Sequence, residues 1–167
     1  MQTRKLYYED SHLRTFTAEV LSCEKTDKGY EVILDATAFY PEGGGQACDL
    51  GMLGDAKGLD VREKEGVILH LCHKALEVGK SVAGTIDWER RFMLMQHHSG
   101  EQLVSGIVHS RFGYDNVGFH MGSEDITVDY SGPLSREQIA EIERLCNVAV
   151  AENLEITAKG YTVLWNE

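Results

Sequence analysis

The chain has 167 residues, 43% of them apolar, and its 27 acidic against 16 basic side chains leave a formal net charge of −11. That is enough for a buried core in one domain or two small ones, and the acidic balance argues against a standing DNA or RNA binder, which needs clustered Lys and Arg. No stretch approaches the roughly 20 apolar residues of a membrane span, so no membrane partner is expected and the expected compartment is the cytoplasm.

Residues 1–86 read as β structure. Segments 15–23 and 30–34 are β-rich and flank Lys25-Thr26-Asp27-Lys28-Gly29, a hairpin-type turn. Segments 61–65, 67–72 and 82–86 continue the pattern, and short strands at this spacing predict a small barrel. Between the second strand and Asp49 stands Thr37-Ala38-Phe39-Tyr40-Pro41-Glu42-Gly43-Gly44-Gly45-Gln46. Three consecutive glycines allow unusual backbone shapes and close approach of a ligand. A purely structural loop is the plain alternative; the aromatic pair before it and the amide of Gln46 after it favour a binding loop. His70 and His73, in an alternating strand pattern around Cys72, are expected to be structural. The four cysteines, Cys23, Cys48, Cys72 and Cys146, form no Cys-x-x-Cys pair and read as buried free thiols of a reducing compartment.

Residues 87–112 form one long helical pattern, with Asp87 as N-cap and Gly113 as the stop. Leu94, His98, Gln102, Ser105 and His109 share one face. The neighbouring stripe, Phe92, Met95, Ser99, Leu103, Gly106 and Ile107, reads as the core-packing face. Arg90, Arg91 and Arg111 are the one arginine-rich neighbourhood, either a local contact for an RNA end or a solvated helix face. Two strands follow, over 117–122 and 125–130. Ser135 and Gln138 then form a capping box for a second helix whose apolar side is Ile139, Ile142, Leu145, Cys146, Ala149 and Val150. A further strand is expected over 155–165, and the domain boundary is expected near residues 83–87.

FYPEGGGQACDLGML, RRFMLMQHHSGEQLVSGIVHSRFG and VGFHMGSEDITVDYSGPL, with the helix ending in AVAENLEI, together resemble the editing domain of alanyl-tRNA synthetase. The likeness is closer to the freestanding alanyl-tRNA editing proteins, AlaX, in their medium-length form, and covers nearly the whole chain. It implies an α+β fold, with a glycine-rich β-barrel over 1–86 and, over 87–167, an α/β editing core of two long helices packed on an antiparallel sheet. The implied activity is trans-editing: hydrolysis of the ester in tRNA(Ala) mischarged with serine or glycine, supporting translation fidelity. The implied cofactor is zinc, and the implied partner is the 3′ end of tRNA(Ala).

The family's first metal motif, His-x-x-x-His, maps onto His98 and position 102, where Gln102 replaces the second histidine. Its later Cys-x-x-x-His segment has no counterpart in these 167 residues. His98 and Gln102 are therefore the expected metal residues, and zinc is expected to bind weakly, because an amide oxygen is a poor ligand for it. Either the chain is the N-terminal portion of a longer protein, which the strand running toward Trp165 favours, or it is a short relative whose metal site has decayed. His97 and Glu101 form a second pair at helical spacing.

An aminoacyl ester needs only a positioned water and stabilisation of its carbonyl oxygen. Without metal, His98 or His120 serves as general base and the amides of Gly43, Gly44 and Gly45 as the oxyanion site. Thr37, Gln46, Ser99 and His120 are the polar candidates for reading the serine hydroxyl, and Arg91 is a candidate contact to the RNA. Three classes stay open: a zinc-dependent editing hydrolase, a weakened relative that binds tRNA or an amino acid without turnover, and an interaction scaffold. The oligomeric state is left open.

Overall fold

Alternation of apolar and polar side chains rolls the first half of the chain into a closed sheet. The computed structural model describes residues 2–122 and 125–155. It begins with β1 (Arg4–Lys5) and a short 3-10 turn, Leu6–Tyr8. There follow β2 (Thr15–Thr26), β3 (Gly29–Leu34), β4 (Ala36–Thr37), β5 (Gly51–Leu53), β6 (Ala56–Lys64), β7 (Val67–Cys72) and β8 (Ser81–Ile86). Strands β2, β3, β7, β6, β5 and β8 close in that order into a barrel, in which every pairing is antiparallel. The long β2 makes closure possible by serving two neighbours. Residues 15–19 pair with β8, and residues 20–26, past an irregularity after Val20, pair with β3.

Inward positions obey the two-residue period. In β7, Ile68, His70 and Cys72 are buried between half-exposed neighbours, and in β8 Val82, Gly84 and Ile86 are buried between exposed ones. With Val20, Val32, Leu34, Phe39, Leu53 and Val61 they make one core. Each such aliphatic or aromatic side chain contributes about 1.5–3 kcal/mol on burial. The strands expected over 15–23, 30–34, 61–65, 67–72 and 82–86 are all present. β5 was not expected, because a three-residue strand with only Met52 and Leu53 between two glycines carries no alternation to read. All four cysteines are free thiols; Cys48 and Cys72 are buried, Cys23 and Cys146 half-buried.

Asp87 caps α1 (Trp88–Phe112) by accepting the Arg90 N–H, and Gly113 ends it in the left-handed region. β9 (Asn116–Met121) and β10 (Ile126–Tyr130) form an antiparallel hairpin. α2 (Arg136–Ala151) starts with the Ser135–Gln138 capping box and packs on α1. The described sheet of this half is thus a two-stranded hairpin. Of the expected strand over 155–165, all but its first residue lies outside the described residues. None of the described helices is long and apolar enough to cross a membrane.

One expectation about α1 holds only in part. Its buried side chains are Arg91, Leu94, Glu101 and Val108, with His98 and Ser105 half-buried among them. Phe92 is 42% exposed, and Ser99 and Gly106 are exposed. Of the polar stripe, Leu94, His98 and Ser105 turn inward while Gln102 and His109 are exposed, and of the stripe read as core only Met95, Leu103 and Ile107 are half-buried. Hydrogen-bond partners on the barrel and hairpin make the inward polar groups possible, since a buried polar group is tolerated when it is paired.

Candidate active site

The triple glycine is a four-residue turn that closes on itself. Gly43 N–H donates to the Gln46 carbonyl at 3.1 Å, and Gln46 N–H donates back to the Gly43 carbonyl at 3.0 Å. Between them Gly44 and Gly45 have φ of 60° and 82°. Positive φ at both central positions is the type I′ geometry, which costs other residues about 1–2 kcal/mol each. At Gly45 space adds to the demand, because a Cβ there would run into the Phe119 carbonyl oxygen. The Gly45 carbonyl accepts from Met121 N–H at 3.2 Å, tying the turn to β9. The three glycines are exposed, and no main-chain acceptor among the described residues takes the amide hydrogens of Gly44 or Gly45.

Gln46 is 8% exposed and turns its side chain toward α1. Its Oε1 lies 2.5 Å from His98 Nδ1. An amide oxygen can only accept, so Nδ1 carries a proton, and in the neutral ring the lone pair is then on Nε2. The His98 ring also lies against Phe119, with centroids 6.0 Å apart. Glycine turn, helix and hairpin meet at this imidazole.

A second tie between helix and barrel lies two turns earlier. Arg91, 3% exposed, donates through Nε to both carboxylate oxygens of Asp49 at 2.9 and 3.0 Å, and through a terminal nitrogen to Asp49 again. Its remaining donors reach the carbonyls of Ser11 at 2.8 Å and Ala38 at 2.5 Å. Asp49 also accepts the Tyr40 N–H at 2.6 Å, and Arg90 Nε donates to the Cys48 carbonyl at 3.0 Å. Arg91 was expected to meet substrate. The structure corrects this: a guanidinium 3% exposed and bonded to a buried carboxylate and two carbonyls is withdrawn from a substrate phosphate.

Beyond His98, Glu101 is a buried carboxylate with no basic partner among the described residues. Its Oε1 accepts from Ser105 Oγ at 2.5 Å and Asn116 Nδ2 at 2.7 Å, and its Oε2 from Gln102 Nε2 at 2.7 Å. Ser105 in turn meets the Tyr130 hydroxyl at 3.2 Å, whose pKa burial pushes upward. This network fastens α1 to the hairpin.

Two further expectations need correction. Thr37 is fully buried in the barrel, bonded to His70 Nε2 at 2.9 Å and to the Phe39 N–H, so it cannot read a substrate hydroxyl. His120 is exposed on β9. Phe119 faces His98, and alternation along the strand turns His120 to the opposite side, so it is not a base beside His98. Ser99 is exposed one residue after His98 and stays available.

The donors beside His98 do not fit a tetrahedral zinc. Gln102 donates its Nε2 to Glu101 and offers only an amide oxygen, a poor zinc ligand, and both Glu101 oxygens already accept hydrogen bonds. Among the described residues no group of three or more His, Cys, Asp or Glu could hold a metal ion. A groove of about 280 Å³ runs between the C-terminal halves of α1 and α2, where Ile107, Leu145 and Val148 line it. It begins two turns past His98 and has no histidine in its lining, whose remaining members are Gly106, Ser110, Arg111, Ala149 and Glu152, so the chemistry is assigned to the turn and the imidazole.

Asp49, Phe119 and the central role of Glu101 were missed in the sequence. For Asp49 a signal existed: a single carboxylate in the apolar run Ala47-Cys48-Asp49-Leu50 demands a buried cation, and Arg90-Arg91 open the following helix.

The family model for class II (A) tRNA synthetases matches residues 2–90, the barrel and the first residues of α1. The chain is 40% identical to an alanine–tRNA ligase of Ignicoccus hospitalis over 99% of its length. It is 38% identical to that of Pyrobaculum neutrophilum over 95%, and 39% identical to that of Natronomonas pharaonis over 93%. It spans 18% of the length of each of these relatives. The alignments run through barrel, α1, hairpin and α2 alike, so the arrangement around His98 falls within the shared region. The chain therefore belongs to the class II (A) tRNA synthetase family.

Proposed function

We propose that the chain is a trans-editing hydrolase that cleaves the ester of tRNA(Ala) carrying serine or glycine in the cytoplasm, with the RNA 3′ end lying between His98 and the glycine turn. The relatives, alanine–tRNA ligases by name, supply the alanine-specific RNA as partner. The observation that carries the reading is the Gln46–His98 hydrogen bond, which in the neutral ring puts the lone pair on Nε2, beside a turn with two spare amide donors.

Nε2 takes a proton from water as the water oxygen bonds to the ester carbonyl carbon. The carbonyl oxygen gains the charge and is met by the N–H groups of Gly44 and Gly45. Collapse breaks the bond to the ribose oxygen, which takes the proton back from the imidazolium, releasing amino acid and RNA. Ser99 is the remaining polar candidate for the serine hydroxyl. Zinc is implied by the resemblance, but the described donors do not fit it, and each step here uses the chain's own groups.

A second reading, binding without turnover, is favoured by one observation: Gln102 stands where the family's motif has a histidine. Release of serine from seryl-tRNA(Ala), with His98→Ala as control, separates the two. The proposal expects a loss of at least about 10²-fold in the variant. Absence of release by the unaltered chain, with retained RNA binding, would sink it in favour of the second reading.

A further inference from the structure

The three groups of α1 that touch the barrel beside the glycine turn find their partners within four consecutive residues. His98 meets Gln46, Arg90 meets Cys48, and Arg91 meets Asp49. The segment after the turn therefore runs back along the helix. The spacing suits this: seven helical residues from Arg91 to His98 rise about 10 Å, and three extended residues from Gln46 to Asp49 reach at most about 11 Å. Two fixed points that far apart set the direction of α1. The covalent link at Asp87, where Asp87 N–H donates to the Leu50 carbonyl at 2.8 Å, sets only a pivot.

We propose that Arg91 is a positioning residue for the His98 site, acting through Asp49 to hold α1 at the angle that lets Gln46 fix the imidazole tautomer. This rests on the hydrolase reading for its kinetic consequence but not for its geometric one. His98 lies eleven residues beyond Asp87, a lever of about 16 Å. A tilt of about 5° on that lever moves the imidazole more than 1 Å, enough to break a 2.5 Å hydrogen bond and to cost about 10²-fold in rate. Lysine cannot replace this arginine, because a single ammonium cannot address a carboxylate edge and two carbonyls at once. Asp49 belongs to the same device, since it also takes the Tyr40 main-chain donor and so ties Arg91 to both ends of the glycine segment.

The test is Arg91→Lys and, separately, Asp49→Asn in the 167-residue chain, read in two ways. Nitrogen-15 NMR of the His98 ring reports which nitrogen carries the proton, with no need for activity. The unaltered chain is expected to show the Nδ1-protonated form, and both variants a shift toward the Nε2-protonated form common in free histidine. Deacylation kinetics are expected to show kcat down about 10²-fold with KM within about 2-fold. Folded variants whose His98 tautomer is unchanged would overturn the proposal, whatever their rate. Unfolding of the barrel in both variants would also overturn it, since Arg91 would then serve the fold rather than the site. If the unaltered chain releases no amino acid, the hydrolase reading fails while the tautomer measurement still decides the role of Arg91.

Discussion

Replacing His70 by Leu should remove a specific acid sensitivity from the barrel. His70 is 1% exposed. Its Nδ1–H donates to the Val32 carbonyl at 3.2 Å, its Nε2 accepts from Thr37 Oγ1 at 2.9 Å, and Phe39 packs edge-on at 5.7 Å. Burial lowers its pKa from 6.5 to about 4, against a smaller upward pull from the Val32 carbonyl. The fold therefore favours the neutral ring, while the unfolded chain takes a proton near 6.5. The contribution to stability is complete above pH 6.5, falls as pH drops toward 4, and is gone below that. At about 1.4 kcal/mol per pH unit, the loss across that window is about 3 kcal/mol, or roughly 6–12 °C in melting temperature for a chain of this size. Urea unfolding at a series of pH values from 7.5 to 4, for both proteins, isolates this group because the carboxylates are common to the two. The variant should be the weaker by about 1–3 kcal/mol at pH 7.5, having orphaned the Thr37 hydroxyl and the Val32 carbonyl, and the gap should close or reverse by pH 4. A gap independent of pH would refute the reasoning.

Gly45→Ala should destabilise the protein by more than Gly44→Ala, about 3 kcal/mol against about 1, since both have positive φ but only Gly45 abuts β9; equal melting temperatures would contradict this. Gln46→Leu removes the acceptor for His98 Nδ1 and should cut deacylation about 10- to 100-fold at nearly unchanged stability, checked by single-turnover kinetics. Glu101→Gln places an NH₂ among the donors of Ser105, Gln102 and Asn116 and should cost about 2–3 kcal/mol in urea unfolding. Zinc titrated into the chain should show no tight stoichiometric binding by calorimetry; a tight site lost in His98→Ala would contradict the donor analysis.

Much of the barrel could be read from alternation, and the long helix from its Asp87 and Gly113 ends, because those signals are local. The inner face of α1 could not. Hydrophobicity pointed to Phe92 as core, whereas Arg91 and Glu101 lie inside because Asp49 and Asn116, distant in sequence, supply their partners. The pairing of Gln46 with His98 was anticipated only as two elements facing one cleft, since their 52-residue separation leaves no trace in spacing. Thr37 was misassigned for the same reason: a threonine beside a glycine loop looks available until the barrel closes over it and His70 claims its hydroxyl.

The central claim, that an RNA end sits between the glycine turn and the imidazole, is tested most directly by NMR titration with adenosine bearing serine through a non-hydrolysable 3′ amide. The account predicts saturable shifts at the Gly44 and Gly45 amides and the His98 ring. Shifts confined to the α1–α2 groove, at Gly106, Ser110 and Ala149, with the turn and His98 unmoved, would contradict it.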